Sequence, residues 1–177
     1  ILFLHGFSSS PREVSFLAQR MARNGFFCSV PALPGHAGNI DEFTAVPWEE
    51  YLDFTLKKFI SLRDNFRTVS IVGLSFGGSL ALHIAKSQEV RRLVLLAPFL
   101  HPAHPKKWGI PIETLVEKLP QSLPNIAKGE PGIAEPFARS QHLCYSEYSL
   151  GALKSFFHCV DYFIIIVCPS SSRRVLG

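Results

Sequence analysis

The segment Gly73-Leu74-Ser75-Phe76-Gly77 constrains this chain more than any other. It lies between two stretches of different periodicity. Thr68 to Val72 is a short, mostly apolar run of the strand type, whereas Phe76 to about Ser87 places Leu80, Ala81, Ile84 and Ala85 on one helical face. The backbone must therefore turn from strand to helix with no connecting loop. Gly73 and Gly77 remove side chains that would collide across so tight a turn, and Gly78 lets the helix pack close. The turn pushes the Ser75 hydroxyl out of the sheet in a strained conformation, at a helix N-terminus that favours negative charge nearby. A pattern of this kind arises by chance in roughly one chain in twenty of this length. Its placement, more than its spelling, carries the weight.

The remaining chain alternates in the same way. Ile1 to Leu4 is a continuous apolar run, the form of a strand buried on both faces, and it ends at His5-Gly6. Val14, Leu17, Ala18, Met21 and Ala22 then share one helical face. Ser10 is expected to cap that helix, with Pro11 in its first turn, Glu13 completing a capping box and Asn24-Gly25 as the stop. Phe26 to Val30 reads as a second strand and 31–38 as a loop. Pro47 opens a helix to about Arg63, with Trp48, Leu52, Thr55, Leu56 and Phe59 on one face, and Arg92 to Ala97 is a further strand. Such alternation predicts an α/β fold, a mostly parallel sheet with helices on both faces. The rhythm then breaks: eight of the 13 prolines fall between Pro98 and Pro136. The most helical piece there is Ile112 to Leu119. One domain spanning 1–177 is expected, with 98–149 as an inserted cap or lid. The alternation resumes with a helix over Leu150 to Cys159 and a last strand over Tyr162 to Val167.

Composition excludes several function classes. With 47% apolar and 18% charged residues the chain is not disordered. The net charge of +4 is dispersed in pairs such as Lys57-Lys58 and Arg91-Arg92, with no basic stripe between aromatics, so no nucleic-acid partner is expected. The longest apolar run, Tyr162 to Cys168, is far below the roughly 20 residues that span a bilayer. Neither a membrane span nor a signal peptide is expected. Cys28, Cys144, Cys159 and Cys168 form no CxxC pair and read as buried reduced thiols, as in a cytoplasmic protein. His101 and His104 lack further ligands nearby, so neither a metal nor a cofactor is expected. The start on Ile1-Leu2-Phe3-Leu4, with no Met, reads as a chain cut from something longer.

His5-Gly6-Phe7 follows the first strand, which in a parallel sheet puts it at the same edge as Ser75. Acyl transfer needs two N–H groups aimed at the developing oxyanion. The backbone N–H groups of Phe7 and Phe76 are the candidates, with His5 holding the loop. Leu2-Phe3-Leu4-His5-Gly6-Phe7, Leu33-Pro34-Gly35-His36-Ala37-Gly38, Gly73-Leu74-Ser75-Phe76-Gly77-Gly78 and Leu93-Val94-Leu95-Leu96-Ala97 together resemble the α/β-hydrolase superfamily. The match is to carboxylesterase and monoacylglycerol-lipase-like serine hydrolases, although Ala37 interrupts the usual Pro-Gly-His-Gly.

The resemblance implies that Ser75 attacks a small-molecule acyl ester to form an acyl-enzyme. It places His36 in a structural loop near the site, and the apolar residues Phe99, Trp108, Ile110, Ile112 and Leu115 suggest an acyl pocket. It also implies an acid near Ser172 or Arg173 and a histidine base beyond it, in the order Ser, acid, His. No carboxylate follows Asp161 and no histidine follows His158. His83, His142 and His158 read as helix or cap residues. The triad acid and base are therefore not found in the chain. Without a base the serine hydroxyl stays protonated near neutral pH. The alternative expectation is an inert truncated or frame-shifted hydrolase fragment, or an acyl-binding module. Oligomeric state and acyl class are left open.

Overall fold

A computed structural model describes residues 1–36, 38–101, 106–107, 109–120, 123–129 and 144–167. Strands β1 (Leu2–Leu4), β2 (Ile71–Leu74) and β3 (Leu93–Leu96) form an all-parallel sheet in the order β1-β2-β3. Leu4 stands beside Gly73, and Gly73 beside Leu95. Side chains alternate across the sheet, as the pleat demands. Phe3 and Val72 point to one face and meet Val14 and Ala18 of helix α1 (Arg12–Arg23). Leu2, Leu4 and Ile71 point to the other. They pack there with α3 (Trp48–Asn65), α4 (Phe76–Ser87) and α6 (Leu150–Val167), through Phe59, Phe76, Leu80, Ile84 and Phe156. Burying each such side chain contributes about 1.5–3 kcal/mol. Helices on both faces of a parallel sheet are the expected architecture.

Three local expectations are corrected and one further element is found. Phe26 to Val30 is not a strand: one bridge, Leu2 to Ser29, pairs it to β1, while Phe26 and Phe27 are exposed. An apolar run without alternation does not by itself distinguish a strand from an extended segment. Tyr162 to Val167 is not a strand either; it continues α6 without a break. No Gly, Pro or Asn stands between Cys159 and Val167, and extending a helix is far easier than nucleating a new element. The capping box is absent. Pro11 occupies the N-cap of α1 with no side-chain cap, and the Glu13 carboxylate accepts from Gly6 N–H instead. Finally, a helix the sequence reading left out, α2 (Ile40–Ala45), is capped by Asn39, whose side-chain oxygen accepts from Asp41 and Glu42 N–H at 3.0 Å each.

Among the described residues between β3 and α6 are two short antiparallel pairs, β4 (Lys106–Lys107) with β5 (Ile110–Pro111) and β6 (Ile126–Ala127) with β7 (Glu147–Tyr148). Helix α5 (Ile112–Lys118) lies between them. Of the cysteines, Cys159 is buried and Cys28 and Cys144 are half-buried; all three are free thiols. Ala37, His104, Trp108, His142, Cys168 and Ser170 to Arg174 lie outside the described residues. Among the described residues, no helix is long and apolar enough to cross a membrane.

Candidate active site

All three parallel strands end at one edge, and backbone strain concentrates there. Among the described residues the non-glycine residues with positive φ are Ser8 (58°), Ser75 (52°) and Ala97 (44°), which follow β1, β2 and β3 respectively. Conformations of this kind cost about 1–3 kcal/mol each and persist only where the surroundings hold them. Ser75 is held firmly. Its N–H donates to Leu96 O at 2.9 Å, and its carbonyl accepts from Gly78 N–H at 2.9 Å and Phe99 N–H at 3.1 Å. The Ser79 hydroxyl donates to Phe99 O and ties down the same loop. Two glycines make the junction sterically feasible. A Cβ on Gly73 would overlap the Gly77 carbonyl and come within 2.7 Å of Gly78 Cα. A Cβ on Gly77 would overlap the Leu4 carbonyl oxygen. The start of α4 therefore docks directly on the end of β1.

The His5-Gly6-Phe7 loop passes over Ser75: a Cβ on Gly6 would stand 3.5 Å from Ser75 Cβ. Gly6 N–H donates to Glu13 Oε2 at 2.8 Å. His5 is fully buried, with Nδ1 2.9 Å from Gly6 O and Nε2 accepting from Leu33 N–H at 3.1 Å. His36 repeats the arrangement, with Nδ1 2.7 Å from Pro34 O and Nε2 accepting from Ser8 N–H at 3.0 Å. These partners assign both rings the neutral Nδ1–H tautomer. Burial lowers the pKa of each. For His5 the Gly6 hydrogen bond and Glu13 oppose the shift. For His36 the Pro34 hydrogen bond opposes it, neighbouring His5 adds to it, and the value falls to about 3. Both nitrogens of both rings are engaged, so these histidines brace the loop and neither offers a lone pair to Ser75.

The Phe7 ring locks the loop from above. It packs on Phe156 at 4.5 Å, Phe43 at 5.0 Å and Phe76 at 5.7 Å, and stacks on Tyr148 at 6.1 Å. Among the described residues, neither Phe7 N–H nor Phe76 N–H donates to another backbone carbonyl. Three of the other histidines fall within the described residues. His83 on α4 lies beside the Tyr162 ring at 5.8 Å, His158 Nε2 is 3.1 Å from Glu117 Oε2, and His101 is exposed. Asp161 lines a cleft with Glu113, Glu117 and His158. Burial raises its pKa, Glu113 adds to the rise, and His158 opposes it. Among the described residues, no three metal-binding side chains cluster. Of the expected acyl-pocket residues, Phe99 packs on Phe156 at 4.8 Å and Ile110 is exposed. Ile112 and Leu115 are half-buried.

The sequence reading missed the Glu13 to Gly6 contact and the strain at Ser8 and Ala97. It also missed the Tyr145 hydroxyl, which donates to Gly35 O at 2.5 Å. Each depends on how the chain is placed in the fold, which no local pattern encodes.

The alpha/beta hydrolase family model matches residues 1–162. Two curated relatives are a thermostable monoacylglycerol lipase of Bacillus sp. (strain H-257) and a carboxylesterase of Bacillus subtilis (strain 168). The lipase is 26% identical over 136 residues, which is 76% of this chain and 46% of the relative. The carboxylesterase is 24% identical over 102 residues, 57% of this chain and 42% of the relative. The chain thus spans under half the length of these relatives. One solved structure, from work on LipS and LipT, two metagenome-derived lipolytic enzymes, superposes with a TM-score of 0.73 at 21% identity, covering 93% of this chain and 65% of that one. A monoacylglycerol lipase of Paleococcus ferrophilus superposes with a TM-score of 0.63 at 17% identity, covering 92% and 65%. At these identities the likeness speaks to the fold.

Proposed function

The chain belongs to the alpha/beta hydrolase family, and from that premise we propose that Ser75 is the nucleophile of a carboxylic-ester hydrolase. The observation that carries this reading is the strained Ser75 at φ 52°, set between strand and helix beneath the Gly6 loop. Folding holds a costly conformation there, and its effect is to present one hydroxyl at the sheet edge, as a nucleophile elbow does. Ser75 Oγ attacks the acyl carbonyl of a small-molecule ester. The carbonyl oxygen takes up negative charge and is held by Phe7 N–H and Phe76 N–H. Collapse of the tetrahedral species expels the alcohol and leaves an acyl-enzyme, which water then hydrolyses. The Ser75 proton passes to a base that is not among the described hydrogen-bond partners of Ser75.

We read 98–149 as an insertion that closes over this edge. Its support is direct contact with the loop: Tyr145 N–H donates to Ser8 O at 2.9 Å, Lys128 Nζ donates to Ser8 Oγ at 2.9 Å, and Tyr148 stacks on Phe7. The free thiols support a reducing, cytoplasmic setting.

A second reading is a chain that positions Ser75 without activating it. It is favoured by one observation, that His5 and His36, the histidines of the loops beside Ser75, have both ring nitrogens engaged with backbone groups. A fluorophosphonate probe separates the two. The hydrolase reading expects covalent labelling at Ser75, absent from Ser75→Ala, together with turnover of a short-chain aryl ester. A folded chain that neither labels nor turns over ester supports the positioning reading.

A further inference from the structure

The loop that leaves β1 is gripped at one residue from three directions. Ser8 is fully buried and has φ 58°, a conformation that persists only where the surroundings hold it. Its N–H donates to His36 Nε2 at 3.0 Å. Its carbonyl accepts from Tyr145 N–H and its Oγ from Lys128 Nζ, each at 2.9 Å. Two of the three holds therefore come from the 98–149 stretch and not from the loop's own surroundings in the sheet.

Lys128 is itself anchored. Ile126 and Ala127 pair with Tyr148 and Glu147, and Lys128 N–H extends that ladder to Ser146 O at 2.9 Å. The side chain is half-buried, and its ammonium lies 5.0 Å from the centre of the Tyr148 ring, which in turn stacks on Phe7. A lysine ordinarily keeps its charged head in water. Here the head is turned onto a buried hydroxyl instead.

What holds Ser8 is passed along the backbone. A trans peptide is planar, so its C=O and N–H point in opposite directions. Ser8 C=O shares a plane with Ser9 N–H, which donates to Gly6 O at 3.3 Å. Gly6 C=O shares a plane with Phe7 N–H. The grip on Ser8 thus helps to set the direction of Phe7 N–H, two peptide planes away. His5 Nδ1, 2.9 Å from Gly6 O, supports the same plane from the end of β1. Bonds in such a series also polarise one another.

We propose that Lys128 is a positioning residue for the chemistry of Ser75: its hydrogen bond to Ser8 Oγ keeps the strained loop in the conformation that presents Phe7 N–H to the developing oxyanion. The role rests on the hydrolase reading above and extends it, because it makes one oxyanion donor depend on a segment outside the parallel sheet. Lys128 touches no reacting atom in this scheme.

The test uses the full chain with Lys128→Met, which keeps side-chain length and removes the donor, and Lys128→Arg, which keeps a donor. Both should unfold within about 2 °C of the parent, since the position is only half-buried. Lys128→Met should label with the fluorophosphonate probe about tenfold more slowly and lose kcat on the aryl ester by a similar factor, with KM little changed, because the oxyanion exists only along the reaction. Lys128→Arg should recover most of the rate. The amide NMR signals of Phe7, Ser8 and Ser9 should move in Lys128→Met and return in Lys128→Arg. Ser8→Ala removes the acceptor, so adding Lys128→Met to it should slow labelling no further; should Ser8→Ala not fold, the two Lys128 variants carry the test. Parental labelling by Lys128→Met overturns the proposal, as does a raised KM with unchanged kcat, or equal slowing in the Ser8→Ala background. If the parent itself does not label, the hydrolase reading fails, and the amides alone judge the grip of Lys128 on the loop: moved Phe7 and Ser9 signals uphold it and unmoved ones refute it.

Discussion

Ser75 keeps a left-handed backbone because its neighbours leave no alternative. Its N–H is fixed to β3, its carbonyl is shared between α4 and the Phe99 loop, and Gly73 and Gly77 admit the close approach. Glu13 does comparable work on the opposite side. Its carboxylate takes Gly6 N–H at 2.8 Å and so sets the course of the loop that bears Phe7. Glu13→Ala leaves that part-buried amide without a partner, which should cost about 1–3 kcal/mol. Urea unfolding reads the loss, and Glu13→Gln, which retains an acceptor, should recover most of it. Equal stability of Glu13→Ala and the parent would remove Glu13 from this role. If Phe7 N–H serves the oxyanion, Glu13→Ala should also label more slowly with the fluorophosphonate probe.

At the scale of elements, the short helix α2 has more influence on the site than its six residues suggest. It carries Phe43, fully buried among Phe7 at 5.0 Å, His36 at 4.7 Å and Tyr145 at 4.7 Å. A helix this short has almost no intrinsic stability, so its cap matters. Asn39→Ala removes the acceptor for two N–H groups and should cost about 1 kcal/mol, read by equilibrium denaturation. Asn39→Asp keeps the acceptor and should cost little. Strand β3 shows the opposite balance. Leu93 and Leu95 pack into the main core, while Val94 is 44% exposed and Leu96 36%. Helix α1 covers β1 and β2 on that face, and among the described residues nothing covers β3 as fully.

For the whole molecule, the two buried imidazoles tie stability to pH. Folded His36 stays neutral down to about pH 3, and burial lowers His5 as well. An unfolded histidine takes a proton near 6.5. Unfolding therefore takes up protons between those limits, and stability falls as pH drops below 6.5, by up to about 1.4 kcal/mol per pH unit for each site that titrates only when unfolded. Asp161, whose carboxyl is raised, works in the opposite sense just above its ordinary 3.8. It is only half-buried and should not reverse the trend. Thermal unfolding from pH 7 to 4.5 should show this decline. His36→Gln should be less stable at pH 7 yet show a shallower slope, and an unchanged slope would contradict the buried neutral assignment.

The sequence by itself determined the alternation of strand and helix, the sheet edge at which His5-Gly6-Phe7 and Ser75 meet, and the two glycines between them. Each of these is written in local periodicity or in a steric demand that a short segment states alone. The start of α4 at Phe76 is as read, because a strand-to-helix turn with no loop leaves it no freedom. Tertiary structure decided what local pattern leaves degenerate. The apolar run Tyr162 to Val167 suits strand or helix equally, and continuity with α6 settles it as helix. Phe26 to Val30 becomes a strand only if partners flank it, and one bridge to Leu2 is what it finds. Glu13 has two donors within reach, a helix start and Gly6 N–H, and the packing of α1 beneath β1 delivers it to the second. The chemistry of Ser75 follows the same division: its strained placement is legible in five residues, whereas the partners of its hydroxyl depend on chain segments distant in sequence.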